Sequence, residues 1–213
     1  MKENYKIIKG LIDKNVCLAM ARRLEQLLVN DIYRPPDSQC KLSPAFYGVF
    51  NDELEHYRSA IENAIDAKLY PVYTYSRIYQ EGEYLLPHFD RPGAELSLTV
   101  TLDYDKFIWP IWFQDDNGAF QEVILDIGDA LIYKGSLISH FRHPMHGQDF
   151  QHQTFFHYVY ADGPFNHLKY DERTKLLSNK ESELWNFPDW SDDKFRQDPN
   201  YIINRIASKK ENL

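Results

Sequence analysis

The sequence is poor in cysteine and has no long apolar run. Cys17 and Cys40 are its only cysteines, too few for a disulfide framework. No apolar signal-peptide core follows the opening residues MKENYKIIKG, and no run approaches the roughly 18 apolar residues that a membrane span needs. We therefore expect a soluble, cytoplasmic protein.

Basic residues are also in deficit. Lysine and arginine number 24 against 32 aspartates and glutamates, which gives a net charge of -8. Binding along a phosphate backbone depends on many cationic side chains, so nucleic acid is a disfavoured partner. The 213 residues are 43% hydrophobic and 15% aromatic, which excludes disorder and indicates one globular domain.

The first 70 residues are predicted to form a helical buttress. Asp13 is a candidate N-cap, and apolar residues then recur at helical spacing to about Asn30. A second helix is expected from Asp52, on apolar positions that extend to Leu69, and the intervening segment RPPDSQCKLSPAFYG has the composition of a loop.

From Pro71 the apolar residues no longer recur at helical spacing but at every second position, as in a β-strand. VYTYSRIY places Tyr73, Tyr75, Arg77 and Tyr79 on one face, and LSLTVTLD alternates in the same way. Further strands are expected at KFIWPIWFQ, FQEVILD, DALIYKG and QTFFHYVY. About eight closely spaced strands without helical interruption are typical of a mainly β fold, an antiparallel sandwich or jelly roll at residues 71–162.

Residues 163–213 are expected to form a polar C-terminal extension. WNFPDW interrupts it, and PNYIINRI is predicted to be a short helix near its end. The extension is compatible with a lid, a homodimer contact or a helical buttress.

A candidate metal site begins in the segment LLPHFDRP. His88 and Asp90 lie two residues apart, so on a strand both side chains project to the same side. His140 follows 50 residues after Asp90, and a turn and an apolar strand, GDALIYKG, precede it. Two histidines and one carboxylate can hold divalent iron on one face and leave positions open. The spacing therefore predicts an iron site at His88, Asp90 and His140.

Four ordered motifs carry a family resemblance. RIYQEGEYLLPHFD, LSLTVTLD, GDALIYKG and SHFRHP resemble the non-haem Fe(II)- and 2-oxoglutarate-dependent dioxygenases, in particular the prolyl-hydroxylase-like branch. The similarity runs from about Val72 to Tyr160. It implies a double-stranded β-helix (a cupin-like jelly-roll barrel) buttressed by the N-terminal helices.

The resemblance also implies a reaction. His88, Asp90 and His140 would be the iron ligands, with 2-oxoglutarate and O2 as cosubstrates. Oxidation of 2-oxoglutarate to succinate and CO2 would accompany hydroxylation of an unactivated carbon. Halogenating relatives have Gly or Ala at the position of Asp90, so a carboxylate there favours hydroxylation.

The sequence departs from the family where 2-oxoglutarate is anchored. The family has a basic residue about ten positions after the second histidine, but this stretch here is GQDFQHQ. Arg142 is the favoured replacement, because a guanidinium can bind a carboxylate through two hydrogen bonds. Lys134 and Arg77 are alternatives, and Arg77 can equally form a salt bridge inside the fold. Tyr79 matches a tyrosine that hydrogen-bonds 2-oxoglutarate in this branch, or it packs on a barrel strand.

Other histidines and aromatics carry weaker predictions. His143, His146 and His152 are expected to be ordinary polar residues, whereas His157 is expected to support the metal site from behind its ligands. Trp109 and Trp112 are interpreted as core or pocket wall. Arg91, beside the triad, is expected to be an exposed loop residue, or else to contact an anionic group of the substrate.

The substrate and two rival functions stay open. A small metabolite or amino-acid derivative is the favoured substrate, followed by a peptide or protein side chain. The first rival is a cupin-like metal enzyme that does not use 2-oxoglutarate. The second is a non-catalytic jelly-roll module that stacks sugars on Trp109, Trp112 and Tyr84.

Overall fold

The fold consists mainly of antiparallel strands in two sheets. A computed structural model describes residues 4–37 and 39–185. The helix expected at PNYIINRI lies outside these residues. So does the segment WNFPDW, apart from its first residue, Trp185. No helix of the described chain is long and apolar enough to cross a membrane.

Three α-helices are present in the described residues: α1 (Lys14–Val29), α2 (Asn51–Ile65) and α3 (Asn179–Trp185). The Asp13 carboxylate accepts a hydrogen bond from the Asn15 N–H at 2.8 Å, so it caps α1 as predicted. Helix α2 ends earlier than expected, because Asp66 adopts the left-handed conformation at φ 53°. Leu69 instead begins a strand.

Ten strands are assigned in the described residues, where the sequence suggested about eight. They are β1 (Tyr5–Ile8), β2 (Ala45–Tyr47), β3 (Leu69–Gln80), β4 (Leu85–His88), β5 (Leu96–Tyr104), β6 (Ile111–Gln114), β7 (Phe120–Val123), β8 (Ala130–Tyr133), β9 (His140–Arg142) and β10 (Phe150–Tyr160). A short 3₁₀ segment occupies Pro92–Ala94, and Asn166–Glu172 contains 3₁₀ turns interrupted by a kink with non-helical backbone at Lys169, Tyr170 and Asp171.

The strands form a six-stranded sheet, in the order β1-β8-β5-β10-β3-β2, and a four-stranded sheet, in the order β4-β9-β6-β7. The N-terminal region is not purely helical, because β1 and β2 form the two edges of the larger sheet. β2 also lies inside the segment that was expected to be a loop.

The main hydrophobic core lies between the larger sheet and helices α1 and α2. The apolar face of α1 is fully or nearly fully buried there, and strand β5 contributes Leu98, Val100 and Leu102, each 0% exposed. Fully burying a leucine side chain is worth about 1.5–3 kcal/mol. The helices therefore fix the larger sheet from outside and leave its other face to the space between the two sheets.

Candidate metal centre

His88, Asp90 and His140 converge at one end of the smaller sheet. His88 on β4 is the direct cross-strand partner of His140 on β9. Asp90 Oδ1 lies 3.7 Å from His88 Nε2 and 3.6 Å from His140 Nε2. All three ligand atoms lie within 4.8 Å of one another. The structure thus brings together the three residues that the sequence singled out.

Backbone carbonyls set the tautomers of both histidines. His88 Nδ1 lies 2.8 Å from the Leu86 oxygen, and His140 Nδ1 lies 3.0 Å from the Ile138 oxygen. A carbonyl only accepts, so each Nδ1 carries the proton and each Nε2 keeps its lone pair. Burial lowers the pKa of His140, which also favours the neutral form that binds metals.

Asp90 is held by Ser97 and by a close approach of Gly135. The Ser97 hydroxyl donates to Asp90 Oδ2 at 2.6 Å, and the Asp90 N–H donates to the Gly135 oxygen at 2.9 Å. A Cβ at residue 135 would lie 2.3 Å from Asp90 Oδ2 and 2.4 Å from Ser97 Oγ. Only glycine fits there, which explains the final residue of GDALIYKG.

His157 lies behind Ser97. Its Nδ1 is 3.1 Å from Ser97 Oγ. Because the serine proton already goes to Asp90, the imidazole must donate to the serine oxygen. Burial lowers the pKa of His157 to about 4, so the ring is neutral at physiological pH. The hydrogen-bond chain His157–Ser97–Asp90 therefore connects His157 to one of the three candidate ligands, which is the position that the expected supporting role requires.

A cavity of about 440 Å³ opens over the metal centre. Tyr73, Tyr75, Arg77 and Tyr79 all line it, as the period of two along β3 predicted. The other aromatic residues of its wall are Tyr47, Phe89, Tyr133 and Phe155. Burial raises the pKa of both Tyr79 and Tyr133 well above the usual value, so both remain neutral phenols.

Arg142 is a buried cation beside this centre. It is two residues beyond His140 on β9 and only 2% exposed. One Nη donates to the Trp109 carbonyl, and the guanidinium carbon lies 4.9 Å from the Trp109 ring centroid and 5.9 Å from that of Tyr79. Its Nε has no hydrogen-bond partner. No carboxylate of the described residues forms an ion pair with it, and burial lowers its pKa.

The two alternative anchors are engaged elsewhere. Lys134 donates to Asn4 Oδ1 at 2.8 Å. Neither Lys134 nor Arg142 lines the cavity, but Arg142 lies directly behind its wall, next to the Tyr79 ring. Arg77 does line it, but its guanidinium pairs with Asp37 at 2.5 Å and donates to the Ser43 oxygen at 3.0 Å. The salt bridge considered for Arg77 is therefore present, with a half-exposed carboxylate as its partner.

The cavity wall includes a residue that the sequence gave no reason to select. Asp171, in the C-terminal extension, pairs with Arg91 at 2.5 Å and accepts a hydrogen bond from Tyr47. Arg91 also donates to the Tyr73 hydroxyl at 3.2 Å. A lid is one of the three roles that the sequence leaves open for this extension, but nothing in its polar composition selects Asp171.

Both tryptophans lie away from the cavity wall. Trp109 is 4% exposed, and its indole N–H donates to the His143 oxygen at 2.8 Å. Trp112 lies on the smaller sheet against Phe141, with ring centroids 6.2 Å apart. Neither lines the cavity, so the core interpretation is correct for Trp109.

Comparisons with known proteins identify the fold. No family model and no curated protein matches the sequence. Among solved structures, the epimerase SnoN from nogalamycin biosynthesis, described as non-heme and alpha-ketoglutarate-dependent, aligns with a TM-score of 0.62 at 13% identity over 74% of this chain and 78% of its own. A Pseudomonas putida prolyl-4-hydroxylase aligns with a TM-score of 0.57 at 10% identity, over 73% of this chain and 92% of its own.

A third similar structure contains a metal ion and 2-oxoglutarate. HygX from Streptomyces hygroscopicus, solved with nickel and 2-oxoglutarate bound, aligns with a TM-score of 0.55 at 11% identity over 73% of this chain and 82% of its own. The chain shares the fold of the 2-oxoglutarate-dependent oxygenases. The double-stranded β-helix implied by the sequence resemblance is confirmed. At these sequence identities the likeness concerns the fold and not the substrate.

Proposed function

We propose that this protein is an Fe(II)- and 2-oxoglutarate-dependent oxygenase that hydroxylates an unactivated carbon of a small molecule. The observation that carries the proposal is the His88–Asp90–His140 cluster, with both Nε2 atoms directed by backbone hydrogen bonds at Nδ1. Two imidazoles and one carboxylate on one face are the donor set that non-haem Fe(II) oxygenases use.

The donor set fits the metal, and Arg142 fits the cosubstrate. A buried guanidinium without an ion-pair partner is unfavourable by itself, and a dicarboxylate bound at the metal would supply the missing charge. Fe(II) with 2-oxoglutarate and O2 supplies oxidative decarboxylation to succinate and CO2 and the insertion of one oxygen atom into a substrate C–H bond. Arg142, buried behind the cavity wall next to Tyr79, would bind the far carboxylate, and Tyr79 and Tyr133 would present neutral hydroxyl groups at the wall.

The cavity supports a small-molecule substrate. Its volume of about 440 Å³ lies within the usual range of small-ligand pockets, roughly 300–1,000 Å³. The wall is rich in tyrosine and phenylalanine and also includes Arg77, Arg91 and Asp171, which form the ion pairs Arg77–Asp37 and Arg91–Asp171. Such a wall suits a metabolite or amino-acid derivative with both an apolar body and polar substituents.

The test measures iron and 2-oxoglutarate separately. Protein purified without oxygen and loaded with Fe(II) should bind one 2-oxoglutarate, with the visible charge-transfer absorption of a chelated 2-oxo acid, and should release succinate when O2 and a substrate are supplied. His140→Ala should lose both signals. Glu122→Gln, an exposed carboxylate on β7, is the matched control and should keep them.

The rival functions are outcomes of the same test. Iron bound tightly without any affinity for 2-oxoglutarate would favour a cupin-like enzyme that oxidises or isomerises its substrate alone. Absence of iron binding in the wild-type protein would favour a non-catalytic binding module. Screening metabolite pools for substrate-dependent succinate release would then identify the substrate class.

A further inference from the structure

A second cluster of metal-binding side chains lies on the opposite face of the larger sheet. Glu25 of α1, Asp103 of β5 and His152 of β10 each offer one ligand atom, and these atoms lie within 4.8 Å of one another. Asp103 and His152 are direct cross-strand partners. The cluster therefore joins helix α1 to two central strands, separate from the cavity that contains His140.

His152 is the observation that indicates a ligand. The side chain is 0% exposed, and neither ring nitrogen makes a hydrogen bond. Its Nε2 lies 3.3 Å from Glu25 Oε1, without the geometry of a hydrogen bond. A buried imidazole with two unsatisfied nitrogens is unfavourable by about 1–3 kcal/mol, and such a group calls for a specific explanation.

The surroundings hold the cluster in place. The Phe150 ring packs edge-on against His152, with centroids 5.2 Å apart, and Phe150 belongs to the core under the helices. The Tyr104 N–H donates to Asp103 Oδ1 at 3.0 Å, which restrains that carboxylate. These contacts orient two of the three donors before any ligand binds.

Glu25 gives the cluster access to solvent. Its side chain is 19% exposed, and it lines a surface depression of about 360 Å³ along α1, together with Arg22, Gln26, Val29 and Asn30. A cation can therefore reach Glu25 from outside and meet the buried His152 behind it. The positive charge of Arg22 at this depression opposes binding, so the affinity rests on the donors themselves.

We propose that Glu25, Asp103 and His152 form a second site, for a divalent transition metal ion of the Zn²⁺ type. One imidazole nitrogen and two carboxylate oxygens with a water molecule make a four-coordinate set that Zn²⁺ accepts. Ligand atoms around tetrahedral Zn²⁺ are about 3.4 Å apart, close to the 3.3 Å between Glu25 and His152. The ion would cross-link α1 to the sheet, which is a structural role independent of the proposed oxygenase activity.

The experiment removes the candidate iron site, so that metal bound at the second site can be measured alone. The full-length variant His88→Ala/His140→Ala, stripped with a chelator, is titrated with Zn²⁺ and with Co²⁺. We expect one equivalent of metal, a Co²⁺ visible spectrum of low-symmetry four-coordination, and a Tm raised by about 5 °C at a Zn²⁺ concentration roughly 100 times Kd.

Isosteric variants then test the ligands in that background. Glu25→Gln and Asp103→Asn keep side-chain size, so folding should survive, and each should weaken Zn²⁺ binding at least tenfold and abolish the rise in Tm. Glu122→Gln serves as the carboxylate control. Absence of metal binding in His88→Ala/His140→Ala, or binding unaffected by both isosteric changes, would overturn the proposal whatever the outcome at the first site.

Discussion

The two faces of strand β5 are equally buried but chemically opposite. On the helix-facing side Leu98, Val100 and Leu102 are 0% exposed, and on the cavity-facing side Ser97, Thr99 and Thr101 are at most 1% exposed. The first face packs into the hydrophobic core. The two faces therefore do not differ in burial, but they differ in hydrogen bonding.

Each polar side chain of the cavity face has a partner. Ser97 donates to Asp90 at 2.6 Å, Thr99 Oγ1 accepts from Gln153 at 2.7 Å, and Thr101 Oγ1 lies 3.4 Å from the same glutamine. Satisfied polar groups can be buried at little net loss of stability. The sheet thus gains its stability from one face and positions the metal centre with the other, so substitutions on the two faces should have separable effects.

The largest expected effect is the loss of a metal ligand on the cavity face. His88→Ala or His140→Ala should abolish tight Fe(II) binding and all turnover, because two ligands hold Fe(II) poorly against water. The metal-free variants should unfold at nearly the wild-type temperature. Anaerobic iron titration and Tm are the measurements, and stoichiometric tight iron with full activity in either variant would contradict the triad.

On the helix face the largest expected effect is on stability. Leu98→Ala should lower the free energy of unfolding by about 2–5 kcal/mol, the range for leucine truncation in a packed core. Because Leu98 points away from the metal centre, the iron affinity of the folded protein should remain wild-type. Urea unfolding and iron titration give the two values. A large loss of iron affinity would show that the two faces are not separable.

Anchoring of 2-oxoglutarate should depend on Arg142. Arg142→Ala should weaken anaerobic 2-oxoglutarate binding by about 2–5 kcal/mol, the range for removing one partner of a buried charge pair, and should leave iron binding intact. Lys134→Ala and Arg77→Ala, measured in parallel, should have smaller effects because these cations have partners elsewhere. A large loss confined to one of them would move the anchor to that residue.

Much of the fold followed from local patterns in the sequence. The Asp13 cap and apolar spacing of α1, and the alternation along β3 and β5, are local signals that the structure matches closely. The end of α2 was missed because Asp66 ends it by adopting a left-handed backbone, which the apolar pattern does not reveal. Strands β2 and β9 are only three residues long, too short for a period of two to show.

The candidate site was predictable where its residues carry unusual chemistry. His88, Asp90 and His140 could be found from residue type and spacing, and Arg77 and Tyr79 from their shared face. The alternation also placed Ser97 on a polar face, but nothing indicated that it would bridge Asp90 and His157. Asp171 comes from a segment far along the chain whose docking depends on long-range contacts, so no local pattern could identify it.

The pH dependence of stability should reveal His157. Burial lowers its pKa in the folded protein to about 4 from the usual 6.5. Between these values the unfolded chain binds more protons, so stability should fall as the pH falls from about 6.5 to about 4, by up to roughly 3 kcal/mol. In metal-free protein, His157→Gln should flatten this part of the profile. An unchanged slope in the variant would assign the acid sensitivity to other groups.

The smallest expected effect concerns Ser97, whose hydroxyl touches the ligand and not the metal. Ser97→Ala removes the donor to Asp90 Oδ2 and leaves the His157 N–H without its acceptor. Partners of this kind orient a metal ligand, and their loss typically weakens metal binding about 10–100-fold. Ser97→Thr keeps the hydroxyl and should recover part of the affinity, whereas Thr99→Ala, two residues along on the same face, should leave it nearly unchanged. Fe(II) or Co²⁺ affinity without oxygen measures all three variants. Equal losses in Ser97→Ala and Thr99→Ala would mean that general loosening of the cavity face, rather than the hydrogen bond to Asp90, controls the metal.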